Sequence, residues 1–322
     1  MSVEIEDRPR TLTEGFLADA RRGMDIALPG RGGTAERFAH LRQCAAIDAS
    51  LGRLVESHTD AVALLREAGR TPPPGAALAV WASDAREWLL LQRSGPRFRL
   101  RGTKQFCGGA TLVDVALLTV PFDDAPFEAA DAPTVLVIVP MGQPGIRVDP
   151  TVWTAPAFTD AGISTVRFDI ELDASCIVGP PDFYTERPGF WQGAVGVAAV
   201  WAGIGDGLIS RAAFRRDDGL GEVARGEIAA RRWAIDATLA QAAAAIDRAP
   251  MGSAEQVALA TRHVVASSLV EILGVLDQES GPAPIAFDPD WQRRRLELTM
   301  SVLQEHGRRD VASLKLDRIL GI

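Results

Sequence analysis

The sequence of 322 residues predicts an α+β protein, in which helices precede and follow a group of strands. Three observations predict this class. Residues 1–75 carry apolar side chains at near-helical spacing, residues 76–180 contain short β-branched or alternating runs, and residues 181–322 carry long helical patterns. We take these ranges as the predicted domains: a helical N-terminal domain, a β-barrel or sandwich, and a C-terminal helical bundle.

The N-terminal range contains helix signals and a clear end. We expect one helix to begin at Thr34, with this threonine as N-cap. A second helical stretch, residues 60–68, is followed by Gly69, a residue typical of helix C-termini. The proline-rich segment 71–75 cannot continue a helix, and it marks the first domain boundary.

The two later ranges differ in their periodicity. In the middle range, β-branched or alternating runs predict strands at residues 98–101, 115–120, 134–139 and 165–170. In the C-terminal range, four helices are expected at about residues 189–216, 220–248, 254–277 and 289–317. The third of these helices is apolar on most sides, so we expect it to lie at the centre of the bundle.

Composition excludes several classes of protein. A hydrophobic content of 47% excludes disorder throughout the chain, and a net charge of −8 argues against nucleic acid as the main partner. Three cysteines without paired spacing predict neither a disulfide framework nor a metal site. The acidic start is unlike a targeting peptide, and the longest uncharged run, residues 189–204, is short for a membrane span. We therefore expect a cytoplasmic protein without membrane insertion.

Four short motifs have both a functional and a structural interpretation. The turn Gly30–Gly33 before a helix could hold a phosphate, although a turn or cap is favoured. His263 lies in an apolar helix, which favours a buried core histidine. The pair Glu305–His306 could perform acid–base chemistry, but a solvated helix face is favoured. Residues 104–110 could form a pocket wall for a flat ligand or, equally well, a β-bulge, and Cys107 within them has no activating base nearby.

Several segments, in order along residues 24–318, resemble the acyl-CoA dehydrogenase superfamily. The most recognisable is residues 98–110, FRLRGTKQFCGGA, which is similar to the Gly-x-Lys-x-aromatic stretch that lies against the flavin in that family. The other segments are residues 26–33, 79–84, 160–169 and 202–205. The resemblance implies a truncated helical N-terminal domain, a middle β-barrel domain and a C-terminal four-helix bundle.

The resemblance also implies an activity and a site. It implies an FAD-dependent oxidoreductase that desaturates an acyl-thioester, carried by CoA or a carrier protein, with Glu305 as the base that removes the α-proton. The residues that it places at the cofactor are Val80, Trp81 and Ser83 along the flavin or thioester cleft, Phe106 over the isoalloxazine ring, Gly108 at its N5 edge, and Arg215 at the pyrophosphate. A homodimer or tetramer is expected; the electron acceptor is left open.

Departures from the family pattern leave two alternatives open. The chain between Gly205 and Glu227 is too short for the arginine-bearing loop of the family, and Gln278–Glu279 replaces a Gly-Gly turn near the pyrophosphate. One alternative is a flavin monooxygenase on the same fold, which needs no α-proton base and in which His306 could act. The other is a catalytically silent, flavin-poor subunit of a hetero-oligomer.

Overall fold

The computed structural model describes residues 14–20, 26–83, 89–122, 133–212 and 219–315. The chain divides into two compact units, and each is described by itself. Unit 1 consists of Met1–Asp25, Ser57–Ala155 and Thr159–Phe190, and unit 2 of Ile26–Glu56, Pro156–Phe158 and Trp191–Ile322. The domain boundaries inferred from the sequence stay a prediction.

Unit 1 contains two four-stranded sheets. The first has the order β1-β4-β5-β8, with β1 (Leu78–Trp81), β4 (Val115–Pro121), β5 (Thr134–Pro140) and β8 (Ile177–Val178). The second has the order β2-β3-β7-β6, with β2 (Leu89–Ser94), β3 (Arg97–Cys107), β7 (Ser164–Asp173) and β6 (Ile146–Asp149). Only β1 and β4 pair in parallel among these strands. The four strands predicted from the sequence are confirmed within β3, β4, β5 and β7, whereas a closed barrel stays a prediction.

The burial pattern explains how the sheets of unit 1 are covered. Along β3, Phe98 and Leu100 point inward and alternate with exposed arginines, as expected for a sheet with one wet face. The central strand β4 is buried along nearly its whole length. The second half of helix α3 (Ala49–Glu67) packs on the first sheet, where Leu64 and Leu65 join Leu117 in one apolar cluster. Other helical residues of unit 1 are residues 14–20 (α1) and Phe183–Glu186 (α4).

His58, on α3 in unit 1, is a buried neutral base. Its Nδ1 accepts a hydrogen bond from the Leu78 amide at 3.1 Å, and the Phe16 ring meets the imidazole edge-on at 6.0 Å. Burial lowers the pKa of His58 to about 4, because a charged imidazolium would lose its hydration there.

This lowered pKa predicts a loss of stability in mild acid. The unfolded chain binds a proton at His58 below about pH 6.5, whereas the folded chain binds it only near pH 4, so stability falls as the pH falls between these values. The predicted loss is about 3 kcal/mol. We expect His58→Asn to show a shallower decline in urea-unfolding free energy over this range, and His40→Asn, at an exposed position on a helix, to match the wild type. Equal pH profiles for wild type and His58→Asn would contradict the prediction.

Unit 2 is helical in its described residues. Its helices are α2 (Thr34–Ile47), the first half of α3, α5 (Gly189–Ile209), α6 (Gly219–Arg248), α7 (Glu255–Ser280), α8 (Pro282–Phe287), α9 (Pro289–Val302) and α10 (Arg308–Ala312). Helices α2 and α5 approach each other so closely that a Cβ atom on Gly203 would collide with the backbone carbonyl of Arg42. The predicted helices 220–248 and 254–277 are confirmed within a few residues.

Two expectations for the helices are wrong, and a third stays untested. The predicted helix 289–317 is interrupted after Val302, and α10 begins behind Gly307, which adopts a φ of +55° that ends regular helix. The predicted helix 189–216 ends at Ile209, although residues 213–218 lie outside the described part. Helix α7 packs against α6, α8, α9 and α10 but leaves Val264 and Val270 exposed, and its position at the centre of the bundle stays a prediction.

Helices α5 and α7 are long and apolar enough to cross a membrane by length and composition alone. The apolar window of α5 is mostly buried within the protein, which is also typical of a core helix in a soluble protein. Two such helices are weak indications, and the absence of membrane insertion stays a prediction.

Candidate functional site

Phe106 combines an unusual backbone conformation with an exposed aromatic ring. The pairing of β3 with β7 is irregular between Lys104 and Cys107, and Phe106 lies in this bulge with a φ of +52°. The left-handed region is rarely adopted by a bulky residue and costs about 1–2 kcal/mol. Its side chain is 55% exposed, so packing in the core does not repay this strain. Strained backbone that presents an exposed ring is typical of a ligand site.

Trp153 stands beside Phe106 at nearly a right angle. The two ring centroids are 6.3 Å apart, and the ring planes meet at 83°. Trp153 follows a short 3₁₀ turn, Pro150–Val152, whose preceding residue Asp149 accepts hydrogen bonds from the amide and the hydroxyl of Thr151 at 3.0 and 2.6 Å. These bonds hold the pKa of Asp149 below its ordinary value. The hydrogen-bonded turn therefore fixes the position of the backbone that carries the Trp153 side chain.

Two hydrogen bonds to other segments fix the backbone after Phe106. The indole N–H of Trp81 donates to the carbonyl of Gly108 at 2.8 Å, and the amide of Gly109 donates to the carbonyl of Ala161 at 2.7 Å. A Cβ atom on Gly108 would meet no heavy atom of the described residues within 4 Å. This combination gives a rigid backbone with free space over Gly108, which suits the close approach of a flat ligand.

Lys104 ties the bulge to the neighbouring segment. Its side chain is buried, and its ammonium donates to the carbonyls of Ser83 and Thr119 at 3.1 and 3.2 Å. A buried ammonium must be hydrogen-bonded, and carbonyl groups here supply acceptors. The lysine of the Gly-x-Lys-x-aromatic stretch thus orders the backbone of β3 and of the residues after β1.

The structure brings together part of the cofactor residues that the resemblance implied. Trp81 is hydrogen-bonded to Gly108, and Phe106 lies two residues before Gly108. The carbonyl of Ser83 accepts from Lys104, whereas Val80 packs against the apolar cluster of the first sheet. Trp81 is 2% exposed, so its side chain supports Gly108 from behind and offers little surface to a ligand. Arg215 lies outside the described residues. The sequence interpretation missed Trp153, which no local motif marks.

Glu305 lies in unit 2, in the turn between α9 and α10 and not on a helix. Its Oε1 is 3.3 Å from Nδ1 of His263, whose side chain is 42% exposed. The expectation of a buried core histidine at 263 is therefore wrong. The neighbouring His306 pairs with Asp310 at 3.5 Å, and Arg262 supports the turn by donating to the carbonyl of Gln304 at 2.9 Å.

The glycine turn before α2 is filled by a side chain of the protein itself. The carboxylate of Asp247 accepts hydrogen bonds from the amides of Gly32 and Thr34 at 3.1 and 3.2 Å and from the Thr34 hydroxyl at 2.6 Å. Thr34 is the first helical residue, and Gly33 is the N-cap, so the expected threonine cap is wrong. A carboxylate already occupies the place that a phosphate would take at this helix terminus.

No group of three or more histidine, cysteine or acidic side chains suited to a metal ion occurs among the described residues. Cys44, Cys107 and Cys176 form no disulfide bond in the described residues, and Cys107 is buried.

Comparison with known proteins supports the fold and corrects the activity. No family model and no curated protein matches the sequence. Among solved structures, FMN-bound TdsC, a dibenzothiophene monooxygenase from Paenibacillus sp. A11-2, superposes with a TM-score of 0.76 at 16% identity, covering 98% of this chain and 97% of that chain. Methanesulfinate monooxygenase MsuC from Pseudomonas fluorescens gives 0.75 at 15%, covering 99% and 97%. The 3-HSA hydroxylase from Rhodococcus sp. RHA1 gives 0.71 at 15%, covering 100% and 98%.

The prediction of α,β-desaturation of an acyl-thioester is contradicted by these similarities, because TdsC and MsuC, which match along nearly their whole length, are monooxygenases. The role of Glu305 as the base for that reaction is therefore no longer supported. The matching structures include complexes with FMN, whereas the resemblance implied FAD. The chain shares the overall fold of TdsC and MsuC.

Proposed function

We propose that the protein is a flavin-dependent monooxygenase that uses FMN. The observation that carries this proposal is the strained, exposed ring of Phe106, which unit 1 presents next to Trp153 in a chain with the fold of FMN-binding monooxygenases. When bound, a reduced flavin supplies the electrons with which one atom of O₂ enters the substrate and the other leaves as water.

The residues of unit 1 fit a flavin ring. Phe106 offers an aromatic face, and Trp153 stands at a right angle to that face. The open space over Gly108 admits the edge of a planar ring, and a side chain at this position would narrow it. The bond from Trp81 to Gly108 keeps this backbone in place, so that the ring surface is formed before the ligand arrives.

The role of these residues is to bind and orient, and to exclude water from the ring. The two aromatic side chains cover apolar ring surface, which removes it from water, and the buried contacts of Lys104 stiffen the strand that carries Phe106. No α-proton base is required for oxygen insertion, so the proposal does not depend on Glu305.

Substrate and partners belong to the proposal as well. The matching monooxygenases are named for dibenzothiophene and methanesulfinate, and a complex of TdsC with indole is known. We propose a small organic molecule of this kind in place of an acyl-thioester. The reduced flavin that this activity consumes is supplied in the test below by a reduced nicotinamide and a flavin reductase. We also propose a homodimer or tetramer in the cytoplasm.

The test begins with flavin binding and ends with oxygen insertion. The full chain is titrated against FMN, followed by quenching of flavin fluorescence. It is then incubated with NADH, a flavin reductase and ¹⁸O₂ in the presence of dibenzothiophene, methanesulfinate or indole. We expect saturable FMN binding and a product that carries one ¹⁸O atom, above the level of reductase alone. Failure to bind FMN would overturn the proposal and favour the silent subunit.

A further inference from the structure

Glu297, on helix α9, carries a carboxyl group without access to water. Its side chain is 0% exposed, and its hydrogen bonds within the described residues end on one oxygen: Oε1 accepts from the Phe158 amide at 3.1 Å and from Arg293 at 2.8 Å. The other oxygen, Oε2, is buried and has no hydrogen-bond partner among the described residues. An ionised carboxylate can accept about four hydrogen bonds, so this environment satisfies the charged form poorly.

The segment Pro156–Phe158 is bound to this carboxyl group. Segment and carboxyl both belong to unit 2, and the bond between Glu297 and the Phe158 amide joins positions 139 apart in the sequence. Phe158 has a φ of +55°, in the left-handed region that bulky residues rarely adopt, and it is 3% exposed. Unlike the exposed Phe106, Phe158 is buried, so burial of its ring compensates for the strain of its backbone. We call residues 156–158 together with Glu297 the latch.

Two charged groups act on the Glu297 carboxyl in opposite directions. Arg293, one turn away on α9, favours the ionised form, whereas Asp48, which Arg293 also contacts at 3.3 Å, disfavours it. Burial is the largest effect, so the pKa of Glu297 lies above its ordinary value of 4.5. The segment 156–158 and helix α8 contain no titratable side chain. The other charged groups around α9 are paired among themselves: Asp290 with Arg293, Arg294 and Arg211, and Arg295 with Asp277 of α7.

We infer that Glu297 and the segment Pro156–Phe158 form a proton-controlled latch. The neutral carboxyl is tolerated in the interior and keeps the segment in place. When Glu297 gives its proton to the solvent, the remaining charge is solvated poorly in the closed latch but well by water once the segment has moved away. Opening also allows Phe158 to leave its positive φ. The latch is therefore closed in mild acid and opens more often as the pH rises.

Proton linkage gives the sign and the size of this pH dependence. In the open latch Glu297 has its ordinary pKa near 4.5, and in the closed latch that pKa is raised. The open state therefore loses its proton first, and the opening constant rises by up to about tenfold per pH unit from about pH 4.5 to the raised pKa. At higher pH both states are ionised, and the opening constant no longer changes. The buried base His58 in unit 1 has the opposite pH dependence, because its pKa is lowered.

Hydrogen–deuterium exchange of the full chain tests the latch. Exchange of peptides that contain Phe158 is measured between about pH 4.5 and 8 and corrected for the intrinsic pH dependence of amide exchange, which gives the opening constant. We expect this constant to rise about tenfold in the wild type. In Glu297→Gln, which keeps the shape and an acceptor oxygen but has no proton to lose, it should stay constant. Glu36→Gln is the matched control, because Glu36 is an exposed glutamate of unit 2, and it should follow the wild type.

A second variant keeps the test decisive if Glu297→Gln does not fold. Asp48→Asn removes the charge that disfavours ionisation but keeps a side-chain oxygen for the amides of Ser50 and Leu51, so it should reduce the rise in opening. A wild-type constant that does not change with pH, or one that rises equally in Glu297→Gln, would overturn the latch. Parallel opening of peptides from α6 and α7 would show that unit 2 unfolds as a whole, which also overturns it. These outcomes are independent of flavin binding, and the proposed function stands or fails separately.

Discussion

Replacing Arg187 with methionine is expected to lower the free energy of unfolding by about 3–5 kcal/mol. The side chain of Arg187 is 2% exposed and pairs with Glu67 at 2.6 Å and with Asp60 at 3.2 Å, all within unit 1. Its guanidinium also lies over the ring of Tyr184 at 5.7 Å. Removing one partner of a buried ion pair leaves the other charges in a medium that solvates them poorly. Here two carboxylates on α3 would lose their counter-ion at once.

Two comparisons show whether the loss of stability is caused by the unpaired carboxylates of Asp60 and Glu67. The triple variant Arg187→Met with Asp60→Asn and Glu67→Gln should recover part of the stability, because the carboxylates are then neutral. Arg97→Met removes an arginine whose two acidic partners are exposed, and it should cost no more than about 1 kcal/mol. Urea unfolding measures all three. An Arg187→Met variant within 1 kcal/mol of the wild type would refute the role of this ion pair.

What could be predicted from the sequence follows from the range of each interaction. The strand at residues 98–101 and the helix end at Gly69 depend on neighbours along the chain, and both are confirmed. The contact between Trp153 and Phe106 depends on the register of β3, β7 and β6, which no local pattern reveals. The bond from Thr34 to Asp247 spans 213 positions, and it replaces the expected threonine cap by a carboxylate from α6.

The same reason explains the errors at the candidate site. The sequence pattern predicts one long final helix that includes Glu305, but the helix ends at Val302 and Gly307 adopts a positive φ. His263 reads as a core residue from its apolar neighbours, yet the side of α7 that carries it is half exposed. The bulge at Phe106 could be expected as one of two interpretations of residues 104–110. The strain of its backbone is a consequence of the pairing of β3 with β7, which is a property of the folded sheet.

We expect substitutions of Phe106 to change FMN affinity and the stability of the protein in different ways. Phe106→Leu removes the ring but keeps the strained backbone, whereas Phe106→Asn removes the ring and places at φ +52° a residue that tolerates this region. Both variants should bind FMN about 10- to 100-fold more weakly, because stacking on an aromatic side chain contributes about 1–3 kcal/mol. Phe106→Tyr keeps the ring and should bind FMN like the wild type.

Stability then separates the two ring-less variants. Phe106→Asn should be about 1 kcal/mol more stable than Phe106→Leu, because leucine is strained in the left-handed backbone conformation and asparagine tolerates it. Contact with Trp153 is lost in both and cancels in the comparison. Thermal unfolding without flavin gives this difference, and flavin fluorescence gives the affinities. An asparagine variant that is no more stable than the leucine variant would show that the backbone is not strained. A leucine variant that binds FMN normally would move the ring site away from Phe106. The predicted combination, weaker binding with relieved strain, is what distinguishes a residue held in place for a ligand from one held in place by packing.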